Sequence, residues 1–295
     1  MIFLVLLLLL SIEVCAYESD QYSNRTQYVV DSRGRLDLFV NQAIQDILNR
    51  KNAPNTRLKF AKAVYFEVGG LFWVDKIERW AGNSPDIDKY DQTRHGSIYR
   101  GMPFWATRVN FIFGVSRSFR ANDVMVGTDK FGHFFSQGYK YYRREMRGES
   151  NERILKKGWF AERWIYGELT TGVFSNADLV ANYEGWRFYQ SLFENDVVEG
   201  KKSILAVSEN GPFFFQQRSF TFGDHINNYW DEALNPSYAI PSVNRRLRKA
   251  IRSLCPKYRE NPAFYTLDND AELWARYELL GMKDSRSNQF DDVCD

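Results

Sequence analysis

Asp129 and His133 stand four residues apart in Thr128-Asp129-Lys130-Phe131-Gly132-His133, and Glu168 and Asp178 flank a Thr170-Thr171-Gly172 turn. Residues four apart share one face of a helix, so the first pair brings a carboxylate to an imidazole. Such a contact sets the ring's tautomer and raises its pKa, giving a general base or a metal ligand with a supporting partner. The same residues also have a purely structural use. Thr128 as N-cap and Asp129 in a first helical turn are ordinary helix-start chemistry, with His133 a satisfied interior group.

The second pair has the composition that glycoside hydrolysis requires: one protonated carboxylic acid and one ionised partner. Glu168 is expected as the general acid and Asp178 as the ionised group. Phe174, Tyr183 and Trp186 offer apolar surroundings that raise a glutamate pKa, and Tyr166, Tyr183 and Trp186 offer faces for sugar rings. The structural counterpart places Asp178 in a Ser175-x-x-Asp178 capping box and Glu168 in a surface turn. A third cluster is Asp224-His225 with Trp230-Asp231-Glu232. If the three histidines of the chain, His95, His133 and His225, converged, they would form a zinc site,. No close His-x-His or His-Glu-x-x-His spacing supports that, so no metal ligand is assigned. Walker loops, dinucleotide fingerprints and Gly-x-Ser-x-Gly elbows are absent from the sequence, and no cofactor is expected.

The elements that must position these residues are mostly helical. Leu36, Phe39, Val40, Ala43, Ile44, Ile47 and Leu48 recur at three and four residues and predict a helix ending near Asn52,. Thr56 is the expected N-cap of a second helix, with Gly69-Gly70 inside it either kinking it or admitting a close neighbour. Asn83 to Pro103 reads as a polar loop. Thr128 opens a helix to Arg147, Glu152 opens one to Leu169, and Ser175 caps one to Asn195. Pro212 to Phe222 is the candidate strand pair, Asp224 caps a short helix to Leu234, and helices over Val243–Leu254 and Asn269–Leu280 close the chain. The sum is a mainly α fold: one large helical domain over residues 36–295 with a small β-hairpin excursion, preceded by a flexible arm over 17–35.

Gly127-Thr128-Asp129-Lys130-Phe131-Gly132-His133-Phe134-Phe135 resembles the Asp-Lys-x-x-His helix of uncharacterised bacterial envelope proteins and lipoproteins. The resemblance covers about a tenth of the chain and implies a cell-envelope setting without a known reaction. The helix-end Glu168 followed by a turn and Asp178 resembles lysozyme-type glycan hydrolases in outline, over about a dozen residues. That likeness implies peptidoglycan as substrate.

Compartment follows from the N-terminus. Ile2 to Leu10 is an unbroken apolar run, and Val14-Cys15-Ala16 suits a leader peptidase, so cleavage after Ala16 and a periplasmic or secreted destination are expected,. Lipid anchoring at Cys15 is the less favoured alternative, since Val14 and Glu13 make a poor lipobox. The run falls well short of the ~20 residues a transmembrane helix needs. Of 37 acidic residues Glu13 leaves with the leader, so 39 bases meet 36 acids and the mature net charge is +3. That balance argues against nucleic acid as partner and suits a cell-wall glycan or envelope surface. The basic run Arg245-Arg246-Leu247-Arg248-Lys249 with Arg252 is either a solvated helix face or a contact for anionic lipid or polymer. Cys255 and Cys294 remain, and an oxidising compartment predicts that they pair. The leading functional expectation is a cell-wall glycan hydrolase. A non-catalytic envelope binding protein and a zinc-dependent hydrolase are the alternatives.

Overall fold

The computed structural model describes residues 18–70, 74–102, 105, 115–168, 171–208 and 213–295. The expected leader, with Cys15, lies outside them. Among the described residues helices dominate, and the strands form three two-stranded antiparallel pairs. The mainly α expectation is what the structure shows. Among the described residues no helix is long and apolar enough to cross a membrane.

Three helices lead: α1 (Arg33–Leu48), α2 (Arg57–Val68) and α3 (Lys76–Asn83). On α1, Leu36, Val40, Ala43, Ile44 and Ile47 are buried, which is the stripe its periodicity predicts,. Thr56 caps α2 by accepting from the Lys59 amide at 3.3 Å. The expected kink at Gly69-Gly70 is a helix end instead. A Cβ at Gly69 would press on the Tyr65 carbonyl at 2.7 Å, so only glycine lets the chain leave there without a clash. The chain then forms the hairpin β1 (Ser118–Ala121) and β2 (Val124–Gly127), paired Phe119↔Val126. Asn122 and Asp123 turn it with positive φ of 54° and 61°. Asn-Asp between two short alternating runs is a two-residue hairpin signal, and the sequence reading above passed over it.

The centre is a layer of long helices. Helix α4 spans 129–145 in three parts, Asp129–Gly132, a wider π-helical turn His133–Gln137, and Gly138–Glu145. Helix α5 spans 151–166, ending in a second π-helical turn at Glu162–Tyr166. Strand β3 (Val173–Phe174) leads into α6 (Asn176–Ser191), which is buried along most of its length. Gly138 of α4 faces Gly185 of α6, and a Cβ on Gly185 would overlap the Phe134 carbonyl. Two glycines therefore bring these backbones into contact, and Phe131, Phe134, Phe135, Phe188, Phe220, Phe222 and Trp230 pack around the crossing.

Of the strand pair expected within Pro212 to Phe222, only β5 (Phe214–Gln216) lies there; its partner is β4 (Leu205–Val207), upstream of that segment. Asp224 does not open a helix. It ends one 3-10 turn (Phe222–Asp224), a second (Asn228–Trp230) follows, and its carboxylate is taken by Lys201 and Arg218. Strand β6 (Tyr238–Ala239) pairs with β3. Helices α7 (Pro241–Arg252), α8 (Cys255–Glu260), α9 (Asp270–Tyr277) and α10 (Phe290–Cys294) finish the chain. On α7, Val243, Leu247, Ala250 and Ile251 are buried while Arg245, Arg246 and Lys249 are exposed. Cys255 and Cys294 form the expected disulfide, tying α10 beside α8 inside a second apolar cluster with Tyr22 and Phe290.

The flexible arm is the clearest correction. Glu18 to Ser23 and Arg25 are buried. Asp20 accepts from the amides of Tyr22, Ser23 and Ile98, and Arg25 holds Asp231 through one guanidinium nitrogen at 2.7 and 2.8 Å. The segment is polar because its side chains satisfy interior groups, not because it is solvated.

Substituting Gly185→Ala is expected to destabilise the protein by about 1–3 kcal/mol through overpacking against α4. Urea unfolding checks this, and an unchanged midpoint would mean that the helices do not meet at these glycines.

Candidate functional site

Lys130 is the organising residue, and the sequence reading passed it over in favour of its neighbours. Its side chain is completely buried, and its ammonium donates to Asp129 Oδ2 at 2.7 Å, Asp178 Oδ1 at 2.6 Å and Glu232 Oε1 at 2.6 Å. Burial alone would drive a lysine pKa down. The charges of Asp129, Asp178 and Glu232 overcome it and hold Lys130 well above its ordinary value,.

Asp178 is shared between two cations. Its Oδ2 lies 3.0 Å from His133 Nε2. Burial pushes this carboxyl up, but His133 and Lys130 outweigh that and hold it far below the usual range. Burial likewise opposes charge on His133, and Asp178 raises its pKa to about 10. The other ring nitrogen, Nδ1, lies 3.1 Å from Asn182 Oδ1. Asn182 also hydrogen-bonds the Tyr141 hydroxyl, which orients its amide. An amide oxygen only accepts, so Nδ1 carries a proton.

The capping box works differently from its expected form. Ser175 Oγ accepts from the Asp178 amide at 3.1 Å, as predicted. The return bond comes from elsewhere, since the Ser175 amide donates to Glu162 Oε1 at 3.2 Å. Asp178 is therefore released from capping and free to meet Lys130 and His133. Ser175 Oγ donates onward to Glu232 Oε1 at 3.0 Å.

The carboxylate beside Asp178 is thus Glu162, not Glu168. The α5 helix runs through its π turn and reverses at Gly167, whose amide donates to the Glu162 carbonyl at 2.9 Å. Beyond this reversal Glu168 faces the surface, where Lys283 binds it at 2.7 Å and Arg163 approaches to 3.8 Å. Glu162 is buried, and burial followed by the Asp178 charge raises its pKa to about 8. Its Oε2 has no hydrogen-bond partner among the described residues, and the same holds for Asp129 Oδ1 and Glu232 Oε2. Glu18 adds a further buried acid that receives the Thr171 hydroxyl at 2.6 Å. From α3 and its N-cap, Asp75 takes the Ser136 hydroxyl and Glu78 lies against Gly132, both close enough to feel the His133 charge.

Among the described residues two sets of side chains could hold a cation: Asp129, Asp178 and Glu232, and His133, Glu162 and Asp178. Lys130 already fills the first. Among the described residues neither set contains a second histidine. The convergence of His95, His133 and His225 does not occur: His95 is exposed, and His225 Nδ1 lies 3.1 Å from Glu184 Oε2, packed among Phe134, Phe188 and Phe220. Tyr183 and Trp186 line one groove with Trp159, Leu155 and Gln190, and no residue of the charged centre lines it. Trp186 is nearly buried there, its indole donating to Glu145 at 2.7 Å. The Tyr166 side chain lies outside the described residues.

Lys130 and Glu162 were readable only in part. Lys130 stood inside the quoted motif, but nothing in its spacing marks a lysine as buried. Glu162 carries no local signal, since its partners arrive from 13 and 16 residues downstream. No protein-family model, curated protein or solved structure matches the chain.

Lys130→Met is expected to cost about 3–5 kcal/mol, because it strands three carboxylates in the interior. Denaturant unfolding measures this, and a loss under about 1 kcal/mol would show that the network does not hold the fold. The pH dependence has a definite sign. Asp75 and Glu232 are each raised to about 7, chiefly by burial. The folded state thus binds their protons more tightly than the unfolded state does. Stability is full below the unfolded values near 4 and declines as pH rises through 7. The melting temperature should be higher at pH 5 than at pH 8, and Asp75→Asn should flatten that slope.

Proposed function

We propose that the chain is an exported hydrolase of the bacterial cell envelope whose working centre is Glu162, Asp178 and His133. The observation that carries this reading is geometric. Three helices deliver two carboxylates and an imidazole to one place, with a carboxylate oxygen of each acid and a ring nitrogen within 4.8 Å of one another. Each side chain is anchored through its other atom: Asp178 on Lys130, Glu162 on the Ser175 amide, His133 on Asn182. Anchored side chains keep their geometry during reaction, which is what catalytic groups require.

Two further observations support it. His133 and Glu162 each open a π-helical turn, an irregularity that costs helix stability and recurs at functional sites. The centre is also graded in exposure. Lys130 and Glu232 show 0% and 1% of their side-chain surface, while Asp129, Asp178 and His133 show 7%, 8% and 11%. His133 is the most exposed of these groups, so solvent and substrate would approach from the His133–Asp178 edge, with the lysine behind it. A water at that edge faces an ionised Asp178 and the free oxygen of Glu162, the arrangement general acid–base hydrolysis uses.

The envelope setting draws support from the leader-like N-terminus and the disulfide, and peptidoglycan remains the substrate to test first. Purified protein incubated with isolated peptidoglycan should release soluble fragments. Glu162→Gln should abolish release with the fold retained, and Glu168→Gln should leave it within about twofold, since a surface ion pair contributes little. Absence of release from the unsubstituted protein, or undiminished release by Glu162→Gln, would remove the proposal.

A further inference from the structure

We infer that the same centre is a divalent-metal site, with His133, Glu162 and Asp178 as ligands and Zn²⁺ as the ion it suits. The inference rests on the reading of this centre as the working site and names its cofactor. Three protein ligands with one position left for water is the constitution of catalytic zinc sites. One imidazole and two carboxylates supply the mixed nitrogen and oxygen donors that zinc accepts.

The geometry meets the requirements one by one. Ligand atoms around tetrahedral zinc lie about 3.3 Å apart for bonds of ~2.0–2.1 Å. Here His133 Nε2 and Asp178 Oδ2 are 3.0 Å apart, and all three groups lie within 4.8 Å. The second requirement is an orienting partner behind the histidine. Asn182 Oδ1 holds Nδ1–H, so the nitrogen turned toward the carboxylates is Nε2, the one a metal would take, its proton being released to solvent as the ion binds,. Tyr141 in turn holds Asn182, and it has room to do so because residue 158 is glycine, where any Cβ would overlap the phenol.

An independent mark is the orphaned oxygen. Glu162 is 1% exposed, yet its Oε2 has no hydrogen-bond partner among the described residues. Leaving a buried carboxylate oxygen unpaired is costly, and such a group calls for an ion or water that satisfies it. In the neighbouring set Asp129 Oδ1 and Glu232 Oε2 also lack a hydrogen-bond partner among the described residues, but there the Lys130 ammonium, within 2.7 Å of all three carboxylates, already takes the place of a cation. The centre thus pairs a built-in cation with a place for an exchangeable one, and Asp178 bridges them.

The test is a zinc titration of the full exported protein, stripped with EDTA and dialysed free of it, followed by metal analysis after gel filtration. One equivalent of Zn²⁺ should be retained, and Glu162→Gln should weaken binding by more than about 100-fold while its circular dichroism and melting curve stay those of a folded protein. Asn182→Ala should weaken it by about 10–100-fold, as loss of an orienting partner does. Glu168→Gln serves as the control and should bind like the unsubstituted chain. Folded protein that retains no zinc, or Glu162→Gln that retains it equally, overturns the inference. Fragment release from peptidoglycan that persists in EDTA overturns the metal and leaves the hydrolase standing. Stoichiometric zinc without fragment release does the reverse.

Discussion

A lysine ammonium without solvent contact is the constraint on which this molecule is built. Lys130 loses its hydration entirely, a cost of several kcal/mol that only well-placed counter-charges offset. Those charges come from its sequence neighbour Asp129, from Asp178 on α6, and from Glu232 in the turn before β6. Three distant stretches of chain are thereby held to one point. Apolar contact alone is non-directional and would let α4 and α6 slide against each other; the ammonium does not. The glycines at 138 and 185 permit the close approach, and the charge sets where along the helices it happens.

That arrangement leaves the interior rich in acid. Glu18, Glu162 and Glu232 lie near the ammonium, and Asp75 and Glu78 come from α3 and its N-cap, each with a pKa raised first of all by burial. Two buried cations, Lys130 and His133, face this group. A protein selected for stability alone would do better with apolar side chains at several of these positions. The excess is concentrated beside two π-helical turns and several carboxylate oxygens, Glu162 Oε2 among them, that have no hydrogen-bond partner among the described residues. Irregular helix, unsatisfied acid and an oriented imidazole in one place form a consistent set, and the functional reading draws on all three together.

Much of the local structure was legible. The α1 stripe, the Thr56 cap, the Ser175 cap and the Cys255–Cys294 pair all follow from rules that act over a few residues or from simple pairing. The hairpin at Asn122-Asp123 was equally local and could have been read from its turn residues. The polar stretch over 18–25 misled for a physical reason. Polarity reports the need for hydrogen bonds, not where their partners are, and here the partners were buried amides and Asp231.

The sequence by itself determined most of the long helices, the Thr56 and Ser175 caps and the placing of Asp129, His133 and Asp178 in helical first turns or one turn apart. Tertiary structure decided which carboxylate joined them. Glu162 displaced Glu168 because a π turn and the reversal at Gly167 send one inward and the other to Lys283. It also decided that Asp178 is an ion-pair partner and not a cap, since the Ser175 amide had found Glu162. Periodicity and capping depend on neighbours along the chain, whereas the fate of a buried charge depends on the other charges that share its low-dielectric surroundings, wherever in the chain they originate.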